Sequence, residues 1–241
     1  MAAPAPQPAA AEAPLHPVIG IFLSPVAAIE ALVSRPQFWP ALVLMTVIGM
    51  ASMTIAYQRG VLEHAMREKM ESSPGMDRMP PEQKQRAIDM SVKWGAYLMV
   101  GGAVVGPAIS MLLFASVFLL LTNVILGGGA KFRQLFSVVT HAWLPNSLYS
   151  LIAIPIVLAK DAEGIDIQNL VPMANLSLLF DRADQKKLYA VGSSVDLFSF
   201  WVITLLVLGI SRLTGKSKGL VAAVVLAPWA LYVFVVKVLM G

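Results

Sequence analysis

The feature that most constrains this chain is its set of long stretches without a single charged residue. Phe38–Tyr57 holds twenty such residues, Trp94–Ala130 holds 37, and Gln134–Ala159, Leu197–Ser211 and Gly219–Val236 follow. Crossing the hydrocarbon of a bilayer takes roughly 20 mostly apolar residues at about 1.5 Å rise each. A water-soluble chain would scatter charge over its surface, but only 13% of these 241 residues are charged and 57% are hydrophobic. Disorder needs the reverse composition. The reading is an all-α integral membrane protein with five transmembrane helices and an N-terminal interfacial amphipathic helix.

The segments divide the chain into three. Residues 1–17 form a flexible tail rich in Ala and Pro, with no basic n-region or apolar core of a signal peptide. Residues 18–36 carry a helix that starts at Ser24-Pro25, with Val26, Ile29, Leu32 and Val33 on one face and Glu30 and Arg35 off it. This helix suits the membrane interface, the alternative being an ordinary helix packed on the end of the bundle. Residues 37–241 form the five-span domain, with spans near 38–57, 94–126, 134–159, 193–211 and 219–238. The second span is expected to continue upstream as a polar helix from Pro81. The fourth is short of charge-free residues, so it is expected to begin near Ser193 or Ser194 and draw Asp196 into its first turn.

Charge places the loops without settling the orientation. Two short turns carry Lys131 and Arg133, and Arg212, Lys216 and Lys218, with no acid among them. The opposite stretches, 58–93 and 159–192, carry more Lys and Arg, interleaved with acids, so a strict count of basic residues favours that side as cytoplasmic. Short, purely basic turns are the stronger retention signal, and they favour the N-terminus inside. The net charge of +4 is too small and too scattered for a nucleic-acid footprint.

Few residues suggest chemistry. The absence of Cys removes thiol nucleophiles and Cys metal sites. The three histidines form no H-E-x-x-H, no G-x-S-x-G occurs, and no carboxylate pair lies within a span, so neither an enzyme nor a metal or cofactor site is expected. Gly209 and Gly215-Lys216-Ser217 resemble a P-loop, but one residue too many separates the glycines and no strand precedes them. Gly127-Gly128-Gly129 with Lys131 and Arg133 could hold lipid phosphate, as could Arg212, Lys216 and Lys218 on the same side. The competing reading is that both turns only set topology. Gly102, Gly106 and Ser110 form a small-residue ridge for packing helices within the bundle or between two copies. His141, Asn146, Asp196 and Asn123 could form a polar intramembrane cluster beside the break at Pro145, as in a small transporter or channel. Against that, Asp196 would be a helix cap and Asn146 would repair the gap at Pro145. The semi-apolar stretch 170–180 is a candidate docking surface for a larger complex. Asn175-Leu176-Ser177 matches the N-glycosylation pattern.

Several of these motifs fall in a recognisable order. The run Gly127-Gly128-Gly129-Ala130-Lys131-Phe132-Arg133-Gln134-Leu135-Phe136 leads to His141 and Leu144-Pro145. Val195-Asp196-Leu197-Phe198-Ser199-Phe200-Trp201 and Leu208-Gly209-Ile210 follow, and Phe22-Leu23-Ser24-Pro25 stands near the start. Together, over roughly residues 18 to 240, they resemble the Ypt-interacting-protein (Yip) family of five-span membrane proteins. The resemblance implies a cytosolic N-terminus and a role in organising membranes or traffic. Eukaryotic members recruit Rab-type GTPases through an extended N-terminal region. The short tail here, and the lack of Asp-Leu-Tyr-Gly-Pro, argue against a small-GTPase partner and for the short prokaryotic form in an inner or plasma membrane, an endomembrane being the eukaryotic alternative. The expected function is a non-enzymatic scaffold that contacts anionic lipid head groups, a protein partner or a second copy of itself.

Overall fold

A computed structural model describes residues 15–239 apart from 72, 74, 168 and 182. Most of the Ala/Pro tail therefore lies outside the described residues. The described residues are mainly helical, and the only strand-like pairing among them is an isolated bridge between Asn175 and Asp196. Five helical segments are long and apolar enough to cross a membrane.

The N-terminal segment is two helices rather than one. α1 (Pro17–Leu23) and α2 (Pro25–Ser34) meet at Ser24, because Pro25 has no N–H to continue the first helix. They fold back on each other, and a β-carbon on Gly20 would touch that of Ala28 at 3.1 Å. The buried stripe of α2 is Ala28, Ile29 and Leu32, packed on the bundle; Val26, expected on that stripe, is exposed. Leu15, Ile19 and Leu23 are exposed with it, leaving the hairpin an apolar outer edge.

α3 (Trp39–Gln58) is the first span. Exposed Trp39 and Tyr57 stand at its two ends, about 27 Å apart along the axis. That matches the roughly 30 Å hydrocarbon layer whose borders such rings prefer. α5 (Pro81–Leu120) is 40 residues long, about 60 Å, and so continues well beyond a bilayer. The exposed pair Trp94 and Tyr97 marks where it emerges. Its polar first half pairs with α4 (Val61–Glu71) through Met66 against Gly95 and an Arg67 guanidinium shared by Glu63 at 3.3 Å and Asp89 at 3.2 Å.

The third span is split by Pro145 into α6 (Phe132–Ala142) and α7 (Pro145–Ala159). Ser137 ties α6 to the link before α3, donating to the Gln37 carbonyl at 2.7 Å and accepting the Gln37 N–H at 3.1 Å. α8 (Lys186–Gly192) is a short helix in the long loop. α9 (Leu197–Thr214) begins later than expected. It gains its length at the other end, through Arg212 to Thr214, so Asp196 caps the helix instead of joining its first turn. α10 (Lys218–Tyr232) closes the bundle and passes into a π-helical stretch, Val233–Leu239. The core lies where α6, the most buried helix, meets α9: Gly209 lets Val138 approach so closely that an added β-carbon would overlap it.

Candidate functional site: the two basic turns

The first basic turn is built by α5 as it ends. A π-helical turn, Leu121–Ile125, loosens the helix, and Gly127 and Gly129 take φ of +60°, a conformation that costs L-residues with a β-carbon roughly 1–2 kcal/mol. The Gly128 N–H donates to the Thr122 carbonyl at 3.1 Å. Asn123 brackets the turn: its Oδ1 accepts the Ala130 N–H at 2.8 Å and its Nδ2 donates to the Ala130 carbonyl at 3.1 Å. The amides of Gly128 and Ala130 are thus used inside the turn, and the side chains of Lys131 and Arg133 are both exposed.

The second turn follows α9. Gly215, at φ +69°, ends the helix in the left-handed conformation that favours glycine, and its N–H donates to the Ser211 carbonyl at 2.9 Å. The Thr214 hydroxyl accepts the Lys216 N–H at 3.2 Å, and Ser217 caps α10 by accepting the Leu220 N–H at 3.4 Å. Arg212, Lys216 and Lys218 are exposed.

The two turns touch. Gly128 sits against Thr214 and Thr122, with no room for a side chain. Five cations from separate parts of the sequence are thereby gathered at one end of the bundle. α2 adds an acid: Glu30 lies 3.0 Å from the Arg212 guanidinium. Among the described residues, Lys131, Arg133, Lys216 and Lys218 have no carboxylate in salt-bridge reach. A cleft of about 360 Å³ opens between α2 and the second turn, lined by Ile29, Glu30, Ser211, Arg212, Lys216 and Lys218. The Ser211 hydroxyl is buried without a partner. Glu30 and Ser211 escaped the sequence reading. Glu30 carried one signal, being the lone acid of an apolar helix.

The polar residues considered for a transport site are spread over the depth of the bundle. Asn123 belongs to the first turn. His141 is fully buried ten residues beyond Lys131, about 15 Å along the helix. Its Nδ1 lies 3.0 Å from the Ser137 carbonyl; a carbonyl only accepts, so that nitrogen carries a proton, and Nε2 is left without a partner. Asp196 stands at the opposite end, where its carboxylate accepts the N–H groups of Phe198 at 2.8 Å and Ser199 at 2.9 Å and the Ser199 hydroxyl. Asn146 follows Pro145, its N–H donated to the Trp143 carbonyl at 3.0 Å and its carbonyl accepting the Ser150 hydroxyl at 3.2 Å.

Gly102 and Gly106 face open space, since a β-carbon on either meets no atom of the chain within 4 Å. Ser110 is half-buried. Close helix approach occurs instead at Gly20, Gly95 and Gly209. Asn175 is engaged in the long loop: its Nδ2 donates to Asn169 Oδ1 at 2.7 Å, its Oδ1 accepts the Ser177 N–H at 2.9 Å, and Ser177 is buried. Among the described residues no group of His, Asp and Glu is placed to hold a metal.

No curated protein and no solved structure matches the chain. The family model of the Yip1 domain matches residues 19–239, nearly its whole length and close to the extent of the resemblance seen in the sequence. This five-span membrane protein belongs to the Yip1 domain family.

Proposed function

We propose that this protein is a non-enzymatic scaffold of a bacterial inner membrane that gathers anionic lipid at its cytoplasmic face through Lys131, Arg133, Arg212, Lys216 and Lys218. One observation carries the reading: the contact of Gly128 with Thr214 joins the two basic turns into a single cationic surface. Lys and Arg at a membrane surface each attract anionic lipid by about 1 kcal/mol. Among the described residues four of the five have no carboxylate in reach, and the fifth shares its charge with exposed Glu30. The apolar edge formed by Leu15, Ile19, Leu23 and Val26 suits the head-group boundary, where an amphipathic helix buries one face in the acyl region. With five spans, the N-terminal hairpin and both basic turns share one side, and short basic turns favour that side as cytoplasmic.

The test is the lipid shell that travels with the protein. Wild type and a variant with all five cations changed to Gln are extracted into native nanodiscs, and the lipids counted by mass spectrometry. The wild type is expected to enrich phosphatidylglycerol over phosphatidylcholine, the variant to lose at least half of that enrichment, and added salt to weaken the wild type toward the variant. Equal enrichment in both removes the proposal.

A further inference from the structure

A second cavity, also about 360 Å³, lies between α3, α5 and α7 on the side of the long loop. It exists because the facing side chains are small: Gly49, Ser52 and Ala56 of α3 meet Ala103 of α5 and Ala153 of α7. Ile167 and Leu170 of the long loop roof it. At about 30 Å³ for a water-sized group, it has room for about twelve methylene-sized groups.

Its position is as informative as its size. Gly49 is ten residues from Trp39 and ten from Arg59, so the cavity begins near the membrane midplane and ends near the loop-side border about 15 Å away. That is the depth of one leaflet. The hydroxyl residues that line it are Ser52, Tyr149 and Ser150, and Pro107, which also lines it, has no N–H to give the Ala103 carbonyl. No charged side chain lines the interior. At the outer end the Arg59 guanidinium donates to the Lys160 carbonyl at 3.3 Å, joining the ends of α3 and α7. Both side chains are exposed, with no carboxylate partner among the described residues. An apolar slot one leaflet deep beneath two cations has the layout of an anionic amphiphile.

We propose that this cavity holds one acyl chain of an anionic phospholipid from the loop-side leaflet, its phosphate between Arg59 and Lys160. The lipid would fill the gap that small residues leave between α3 and α7. The site is independent of the basic turns, which lie at the other end of the bundle.

The test uses the full chain in a mild detergent with phosphatidylglycerol or phosphatidylcholine added. Native mass spectrometry is expected to show one retained phosphatidylglycerol per chain, in preference to phosphatidylcholine. Ala153→Phe and Ala56→Leu, which fill the slot, should each weaken that retention at least tenfold. Arg59→Gln with Lys160→Gln should abolish the head-group preference, whereas the variant neutral at the five turn cations should keep it. A phosphatidylglycerol with a diazirine in its acyl chain should label residues 49–56 and 150–157 of the wild type, a result that does not depend on whether the filled variants fold. Undiminished retention in folded variants, no preference between the two lipids, or labels confined to other helices would overturn the assignment.

Discussion

Gly128 lies so close to Thr214 that a β-carbon on the glycine would stand 2.4 Å from the threonine γ-methyl. This contact joins the end of the second span to the end of the fourth, and it sets where the basic side chains emerge. The three consecutive glycines have two separate reasons to be glycine. Gly127 and Gly129 have positive φ, whereas Gly128 is held by its neighbours.

Those reasons separate experimentally. Gly128→Ala is expected to destabilise the protein by about 1–3 kcal/mol through overpacking. Thr214→Ser removes the offending methyl and keeps the hydroxyl that accepts the Lys216 N–H, so it should recover much of that loss. Gly127→Ala and Gly129→Ala should cost about 1–2 kcal/mol each through their backbone conformation, with no recovery from Thr214→Ser. Thermal unfolding in detergent, arranged as a double-mutant cycle, reads the difference.

Glu30 and Arg212 make an ion pair in which both side chains remain about half in solvent, 47% and 61% exposed. Pairs of this kind contribute at most about 1 kcal/mol. Glu30→Gln should therefore leave the melting temperature nearly unchanged while freeing Arg212 for lipid phosphate. Phosphatidylglycerol enrichment in nanodiscs is expected to rise for Glu30→Gln and fall for Arg212→Gln. Opposite signs with similar stability would tie the effect to charge rather than folding.

The Asp196 side chain caps α9, accepting the backbone N–H groups of Phe198 and Ser199. Asn accepts the same backbone bonds, so Asp196→Asn should shift stability by only a few tenths of a kcal/mol, while Asp196→Ala should cost about 0.5–2 kcal/mol. Thermal unfolding of both variants checks this. A large loss in Asp196→Asn alone would mean that the carboxylate's charge does more than cap.

The spans were readable because hydrocarbon tolerates so few charges that the uncharged runs outline them. What needed the folded chain was partnership across distance. The sequence placed Val26 on the buried stripe of α2 by helical spacing, but α1 folds back onto Ala28 through Gly20 and turns the helix, and spacing alone carries no information about that hairpin. The start of α9 differs from the sequence expectation for a related reason: the count of uncharged residues points before Asp196, whereas Gly215 lets the helix run on past a charged Arg212. The five cations were legible as residue types in short turns. Their convergence was not, because it depends on Gly128 and Thr214 meeting. Small-residue spacing pointed to Gly102 and Gly106, yet a ridge says nothing about which helix comes near, and the tight crossings fall at Gly95 and Gly209 instead.

The long loop was legible as a semi-apolar stretch followed by a short helix near Asp181–Tyr189, and the residue that organises it is Asn169. It is 5% exposed. Its amide donates to the Ser177 hydroxyl at 2.7 Å and to the Tyr189 hydroxyl at 2.9 Å, and its oxygen accepts from Asn175 at 2.7 Å. This knot lets Met173, Leu178 and Leu179 point outward while the backbone beneath them stays fixed. Each buried polar group left without a partner costs about 1–3 kcal/mol. Asn169→Ala should therefore loosen residues 165–195 without unfolding the spans, seen as fast hydrogen exchange at the Leu176 amide, which is otherwise bonded to the Val195 carbonyl at 3.2 Å. Asn169→Asp should do the same, since it replaces the amide by a charged, acceptor-only group at a site almost closed to solvent. Tyr189→Phe removes one partner and should have a smaller effect. Unchanged exchange at Leu176 in both Asn169 variants would show that apolar contacts, and not this knot, hold the loop in place.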